Sequence, residues 1–339
     1  MDAMQFVPIL IVGFAASLGL TPVSRQIAMR LGVVDKPNQR KIHQDHKPLM
    51  GGLAIYLAFA LSLILFSPPQ HVVELGAVLA GSAFLALVGL LDDRYNLGIR
   101  IRLVAMIIAA LGLAAAGIRI EMFHNPLIDI PLTLLWVLTV INAANFMDNM
   151  DGLTAGLSAT AAAFFMVIAL TQGLTLVSTL AAALLGSAVG FLIYNFNPSS
   201  IFMGDMGALV LGFVLAVLGI KLKFDQPPDV TWMVPLFVLA LPLFDITLVV
   251  TTRILEGRSP AQAGKDHTSH RLMSMGLSQR QTIFVLYGAC LLFGTLGLLV
   301  GASPHEVAVR LGIAGMALLG ALFAAMYWIR WRYQTRPQT

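Results

Sequence analysis

Charge is scarce in this chain: Asp, Glu, Lys and Arg make up 11% of its 339 residues, against roughly a quarter in an ordinary soluble domain. That excludes a water-solvated globular protein and leaves an integral membrane protein, since 58% of the residues are hydrophobic. Cysteine is nearly absent. Cys290 alone, inside an apolar run, excludes an intramolecular disulfide and reads as packing. There is no GxxxxGK[ST], no strand leading into GxGxxG and no HExxH, so P-loop, dinucleotide and zincin chemistry fall away. No repeat of 20 to 50 residues and no low-complexity tract occurs. No nucleic-acid partner is expected.

What is present is a succession of apolar runs. A helix of about 20 apolar residues spans a bilayer, and helices alone satisfy their backbone in hydrocarbon at this length. Eleven spans are expected, near 5–24, 50–67, 74–91, 102–118, 132–147, 153–171, 174–194, 207–222, 230–251, 281–300 and 308–329. The fold class is therefore an all-α integral membrane protein, read as one polytopic domain over residues 1–339. Seventeen of the 21 basic residues follow odd-numbered spans, leaving Arg119, Lys221, Lys223 and Arg310 on the other side. By the positive-inside rule the N-terminus is outside and the C-terminus cytoplasmic. The first span is expected to stay, because its positive residues follow the apolar run and no small-residue cleavage site stands out. The basic loops suit anionic lipid headgroups.

The few acids are not scattered. Asp92 and Asp93 end the third span, Asp148 and Asp151 the fifth, and Asp205 precedes the eighth, all on the expected cytoplasmic side. In NAANFMDNMDGL (142–153), Asn142, Asn145, Asp148 and Asp151 follow at steps of three, which puts neighbouring pairs on one helix face. Each acid alone has a plainer reading: Asp151 as a cap of the next helix, Asp205 as a turn residue, Asp93 as a surface partner of Arg94 or Arg100. Together they repel unless a cation or retained protons intervene. Oxygen-only ligands suit magnesium, which keeps waters and substrate phosphates in its shell. Basic loops supply the counterpart for anionic substrates: Lys36, Arg40, Lys41, His43, His46 and Lys47 in the first, Lys265, His267, His270 and Arg271 in GKDHTSHRL. His267 and His270 alone do not complete a zinc site. Asp245, inside the ninth span, reads equally as a functional intramembrane acid or as a hydrogen-bond partner of a neighbouring helix.

The segments GVVDKPNQRKIHQDHKPLMGG, GLLDDRYNLGIRIRL, NAANFMDNMDGL, NFNPSSIFMGDMGALVLGF and GKDHTSHRLMSMGLS, in this order over residues 32 to about 280, resemble the polyprenyl-phosphate N-acetylhexosamine-1-phosphate transferases. The resemblance implies transfer of a sugar phosphate from a cytoplasmic UDP-N-acetylhexosamine to undecaprenyl phosphate with release of UMP, at a bacterial inner membrane. It implies that Asp92 and Asp93 are the aspartate pair that binds or deprotonates the lipid phosphate, and that Asp205 is the ligand of magnesium, or of manganese in its place. Asn145, Asp148 and Asp151 match the segment that organises nucleotide and active site. Asn195 matches the asparagine preceding the metal ligand, and His267, His270 and Arg271 the loop that recognises pyrophosphate or sugar. Lys36 and Lys47 fall in the basic first loop. A homodimer is compatible with the family.

DHTSHR lacks the three consecutive histidines of the murein-precursor branch, and Ser269 and Asn96 depart from the usual GlcNAc pattern. The GlcNAc-1-phosphate branch is the nearer one, with the donor sugar open between it and the phospho-MurNAc-pentapeptide transferases. An ion-coupled transporter is the reading from another class. Transporters bind near the midplane with broken helices, whereas these acids gather at one surface.

Overall fold

The computed structural model describes residues 3–35, 47–224, 228–262 and 264–334. The single membrane domain expected from the sequence is packed as two compact units, Met1–Leu222 and Lys223–Thr339.

The first unit is a bundle of eight helices: α1 (Val7–Leu31), α2 (Gly51–Phe66), α3 (Val72–Tyr95), α4 (Ile99–Ala115), α5 (Pro126–Met147), α6 (Leu153–Thr171), α7 (Thr175–Asn195) and α8 (Gly204–Lys221). A short antiparallel ladder, β1 (Val34–Asp35) with β2 (Lys47–Pro48), joins α1 to α2, pairing Val34 with Pro48 and Asp35 with Lys47. Local chemistry sets the helix ends. Gly32, left-handed at φ 70°, closes α1. Asn125 accepts from the Leu127 N–H at 3.0 Å, and Pro126 opens α5 where no N–H is needed.

Helix α8 is the centre. Its residues 206–219 are all buried, as expected of a helix apolar on every side. Lipid is as apolar as leucine, so helices associate here through close packing rather than water exclusion. Small residues permit it. A side chain at Gly52 would strike the backbone of Gly207, one at Gly89 that of Met206, one at Gly212 that of Ile141, and one at Gly186 that of Leu10. These contacts join α2, α3 and α5 to α8, and α7 to α1. The Trp136 indole N–H donates to the Ala216 carbonyl at 3.0 Å, adding a polar tie between α5 and α8.

The second unit contains α9 (Pro228–Thr231), α10 (Met233–Val238), α11 (Ala240–Leu255), α12 (Thr268–Ser274), α13 (Gln279–Ala302) and α14 (His305–Ile329). Ser278 and Gln281 form a reciprocal capping box at the start of α13.

Each of the eleven expected segments falls on helix. Among the described residues, eight helices are long and apolar enough to cross a membrane, and Gly51–Phe66 is a shorter apolar helix. The expected ninth span is not continuous. It bends by 82° between Asp229–Val238 and Ala240–Leu255, and passes as one span only if the pair is counted together. Pro242 has no N–H for the Val238 carbonyl, and Pro235 precedes the break on the other side.

Candidate active site

Asp92, Asp93, Asp148, Asp151 and Asp205 lie where α3, α5 and α7 end and α4, α6 and α8 begin. The N-terminus of α8 organises them. Gly204 is left-handed at φ 70°, and a side chain there would strike the Asp93 carboxylate and the Leu49 carbonyl. With that space open, Asp93 accepts from the Asp205 N–H at 2.9 Å and the Met206 N–H at 3.3 Å. Two donors that a helix start leaves unpaired are thereby satisfied by the carboxyl oxygens. Asp93 is a cap of α8, not a surface partner of Arg94 or Arg100.

Asp205 is held from two sides. Asn145 Nδ2 donates to its Oδ1 at 2.6 Å, and Arg102 Nη1 to its Oδ2 at 3.3 Å. The same Arg102 nitrogen lies 2.9 Å from Asp92 Oδ2, so one guanidinium bridges the two side chains. Asp205 is the more accessible of the two, its side chain 29% exposed against 5% for Asp92. Asp148, at the C-terminal end of α5, is partly buried. Burial, then the charges of Asp205 and Asp151, push its carboxyl up to about 8.

The four-step run of NAANFMDNMDGL thus divides. Asn142 turns back on its own helix, donating to the Leu138 carbonyl at 2.7 Å. Asn145 reaches Asp205. Asp151 does not cap α6; it accepts from Asn197 Nδ2 at 3.3 Å and the Ser199 N–H at 3.0 Å. Asn195 is buried, accepting from the Gly152 N–H at 3.1 Å and donating to the Ile201 carbonyl at 3.0 Å. Lys47 donates to the Ser199 carbonyl at 2.7 Å. Asp151, Asn195 and Lys47 therefore hold the loop 196–203 that delivers Asp205. Lys36, with Arg40, Lys41, His43 and His46, lies outside the described residues.

Arg102 is the site residue that sequence reasoning missed. Its signal was the GIRIR run: only residues 96–98 separate α3 from α4, so the first turn of α4 must fold back beside Asp92.

Among the described residues no three His, Cys, Asp or Glu side chains are arranged to enclose a metal. A closed protein cage is thus not what these residues build. Magnesium commonly takes one or two carboxylates and completes its shell with waters and substrate phosphates. A part-exposed Asp205, with the Asn145 amide on one oxygen, fits that open kind of site.

In the second unit, Asp245 is fully buried on α11. It accepts from the Thr268 N–H at 2.6 Å and lies 2.8 Å from His267 Nδ1, which joins α11 to the start of α12. His270 lies beside His267, ring centroids 5.6 Å apart. Burial, then the neighbouring His267, pushes its imidazole down to about 4. Arg271 is fully buried, donating to the Asp266 and Met326 carbonyls at 3.0 and 2.7 Å and to Thr252 Oγ1 at 2.8 Å. All three guanidinium nitrogens are engaged within the unit. Asp266 takes a two-pronged contact from Arg253, at 3.0 and 2.7 Å, and a third from Arg258 at 2.8 Å. Burial alone pushes the Asp266 carboxyl up, but these guanidinium groups hold it well below the usual carboxylate range.

Residues 75–223 match glycosyl transferase family 4. The chain is 33% identical over 293 residues to a probable undecaprenyl-phosphate N-acetylglucosaminyl 1-phosphate transferase of Bacillus subtilis, covering 84% of this chain and 82% of that protein. It is 31% identical over 337 residues to a decaprenyl-phosphate N-acetylglucosaminephosphotransferase of Mycobacterium tuberculosis, covering 87% and 83%. The undecaprenyl-phosphate alpha-N-acetylglucosaminyl 1-phosphate transferase of Escherichia coli K12 is 28% identical over 317 residues, covering 88% and 85%.

Proposed function

The chain belongs to glycosyl transferase family 4, and on that premise we propose that it transfers GlcNAc-1-phosphate from UDP-GlcNAc to undecaprenyl phosphate. UMP is released, and the product begins assembly of a cell-envelope polysaccharide. The observation that carries the reading is the Asp92–Arg102–Asp205–Asn145 cluster at one end of an apolar bundle. The acceptor's phosphate and its hydrocarbon tail need a polar site bordering lipid.

In the reaction, an oxygen of the acceptor phosphate bonds to the phosphorus bearing the sugar. The bond from that phosphorus to the bridging oxygen breaks, and UMP leaves with that oxygen. Phosphoryl transfer asks a protein for positioning and charge neutralisation more than for covalent chemistry. Asp92 orients the acceptor phosphate or takes its proton. Arg102 offsets charge beside it. Asp93 acts through α8 by fixing where Asp205 stands. Asp205 would hold magnesium, or manganese in its place, and Asn145 sets the orientation of that carboxylate. When bound, the metal withdraws charge from the donor diphosphate. Asp148 and Asp151 organise the nucleotide end, the latter through loop 196–203. His267 and His270 are assigned to donor recognition, with Arg271 bracing their loop.

The cluster faces the cytoplasm of a bacterial inner membrane, with the N-terminus outside and the C-terminus inside. The skewed arginine and lysine distribution supports that orientation. The test is UMP release by purified protein given undecaprenyl phosphate with UDP-GlcNAc or UDP-MurNAc-pentapeptide, with and without chelator. Asp205→Asn protein is expected to keep its elution profile and lose about 10³-fold in magnesium-dependent rate, the size of a lost transition-state charge contact. No UMP from UDP-GlcNAc defeats the functional reading, and full turnover in chelator defeats the metal assignment.

A further inference from the structure

Asp245 lies on α11, within the apolar bent pair of helices, and its carboxylate is fully buried. A buried carboxylate persists only where donors converge on it. Here one oxygen accepts the Thr268 N–H at 2.6 Å and the other faces His267 Nδ1 at 2.8 Å. Both donors come from the start of α12, across a loop of more than ten residues. That loop is clamped independently: Arg253, near the end of α11, grips Asp266 with two nitrogens and the Pro260 carbonyl with a third at 2.6 Å. Arg271 holds the Asp266 carbonyl from the other side. The loop at Pro260 and Asp266 is therefore secured without Asp245. Asp245 adds an acceptor for the Thr268 N–H and control of one imidazole ring.

We propose that Asp245 is a positioning residue for the transferase reaction, acting through His267. A carboxylate can only accept, so the hydrogen on this contact sits on Nδ1 of His267. The ring's plane is then set, and His267 in its imidazolium form donates a hydrogen bond from Nε2 to a substrate phosphate oxygen. His270, whose buried Nδ1 has no hydrogen-bond partner among the described residues, receives no such contact from Asp245. The two histidines of one loop are thereby distinguished: one is oriented by an anion and the other is not. The proposal rests on the function argued above.

The experiment has two arms. In the first, protein with ¹⁵N-labelled histidine is studied in detergent, with the His267 signals assigned by their loss in His267→Gln. Nδ1 is expected to be protonated in the wild type. A neutral ring protonated only on Nε2 overturns the proposal. This arm needs no altered Asp245 to fold and no turnover, so it decides even if the wild type releases no UMP, a result that defeats the functional reading instead. In the second arm, Asp245→Asn and His267→Gln are each expected to lower kcat for UMP release about 10²-fold with KM for UDP-GlcNAc within about threefold. The double variant is expected to be no slower than His267→Gln alone. Losses that multiply toward about 10⁴-fold, or a change in KM alone, mean that Asp245 acts by holding the fold and overturn the proposal.

Discussion

Replacing Asp93 with alanine isolates what an acid outside direct substrate contact does for this site. Its two oxygens accept the Asp205 and Met206 N–H groups, so the substitution strands two donors at the start of a buried helix. Loss of an N-cap costs about 1 kcal/mol, up to about 2. About 1–2 kcal/mol is therefore the expected destabilisation. Asp93→Asn keeps one acceptor, so about half of that is expected. The kinetic effect is separate. Asp205 is the second residue of α8, and a displacement of about 1 Å in a positioned group costs about 10²-fold in rate. Unfolding in mixed micelles gives the stability term, and UMP release at saturating substrates the rate. If Asp93→Ala unfolds at the wild-type denaturant concentration, or is fully active, the cap does not hold the site together.

Arg102→Ala removes the cation shared by Asp92 and Asp205. With the arginine part-exposed, a loss of about 1–2 kcal/mol is expected, below the cost of a fully buried pair. Added magnesium should recover part of the thermal stability; no recovery argues against a cation site there. Asp148 makes chelator-treated protein sensitive to alkali. Its folded carboxyl, pushed up to about 8, retains a proton that an unfolded aspartate releases near about 4. The associated stability is present below about 4 and is lost as pH rises through about 8. Thermal midpoints across that window should fall less steeply in Asp148→Asn than in wild type; equal slopes refute the assignment.

Much of the site was legible because chemistry rarely hides in so apolar a chain. Asp92, Asp93, Asn145 and Asp205 stand out against leucine and alanine, and the structure brings them together. Their separate tasks were not legible. Asp93 and Asp205 are 112 positions apart in the chain, and only packing of α3 on α8 makes one the cap of the other. Arg102 looked like a topology signal until a three-residue connection turned it onto Asp92. Arg271 looked like a substrate cation, yet its burial commits it to the Asp266 and Met326 carbonyls and Thr252.

Composition and spacing by themselves determined that this is an all-α membrane protein and where nearly every helix lies. In hydrocarbon each backbone donor must find its acceptor a turn away, so an apolar run of sufficient length has no other outcome. Even the interrupted span carried its cause in Pro235 and Pro242. Tertiary structure alone decided which acids stay accessible at the cluster and which hold the scaffold. A carboxylate's role depends on the donors that reach it, and those donors arrive from helices distant in sequence, through contacts that glycines at 52, 89 and 204 leave room for.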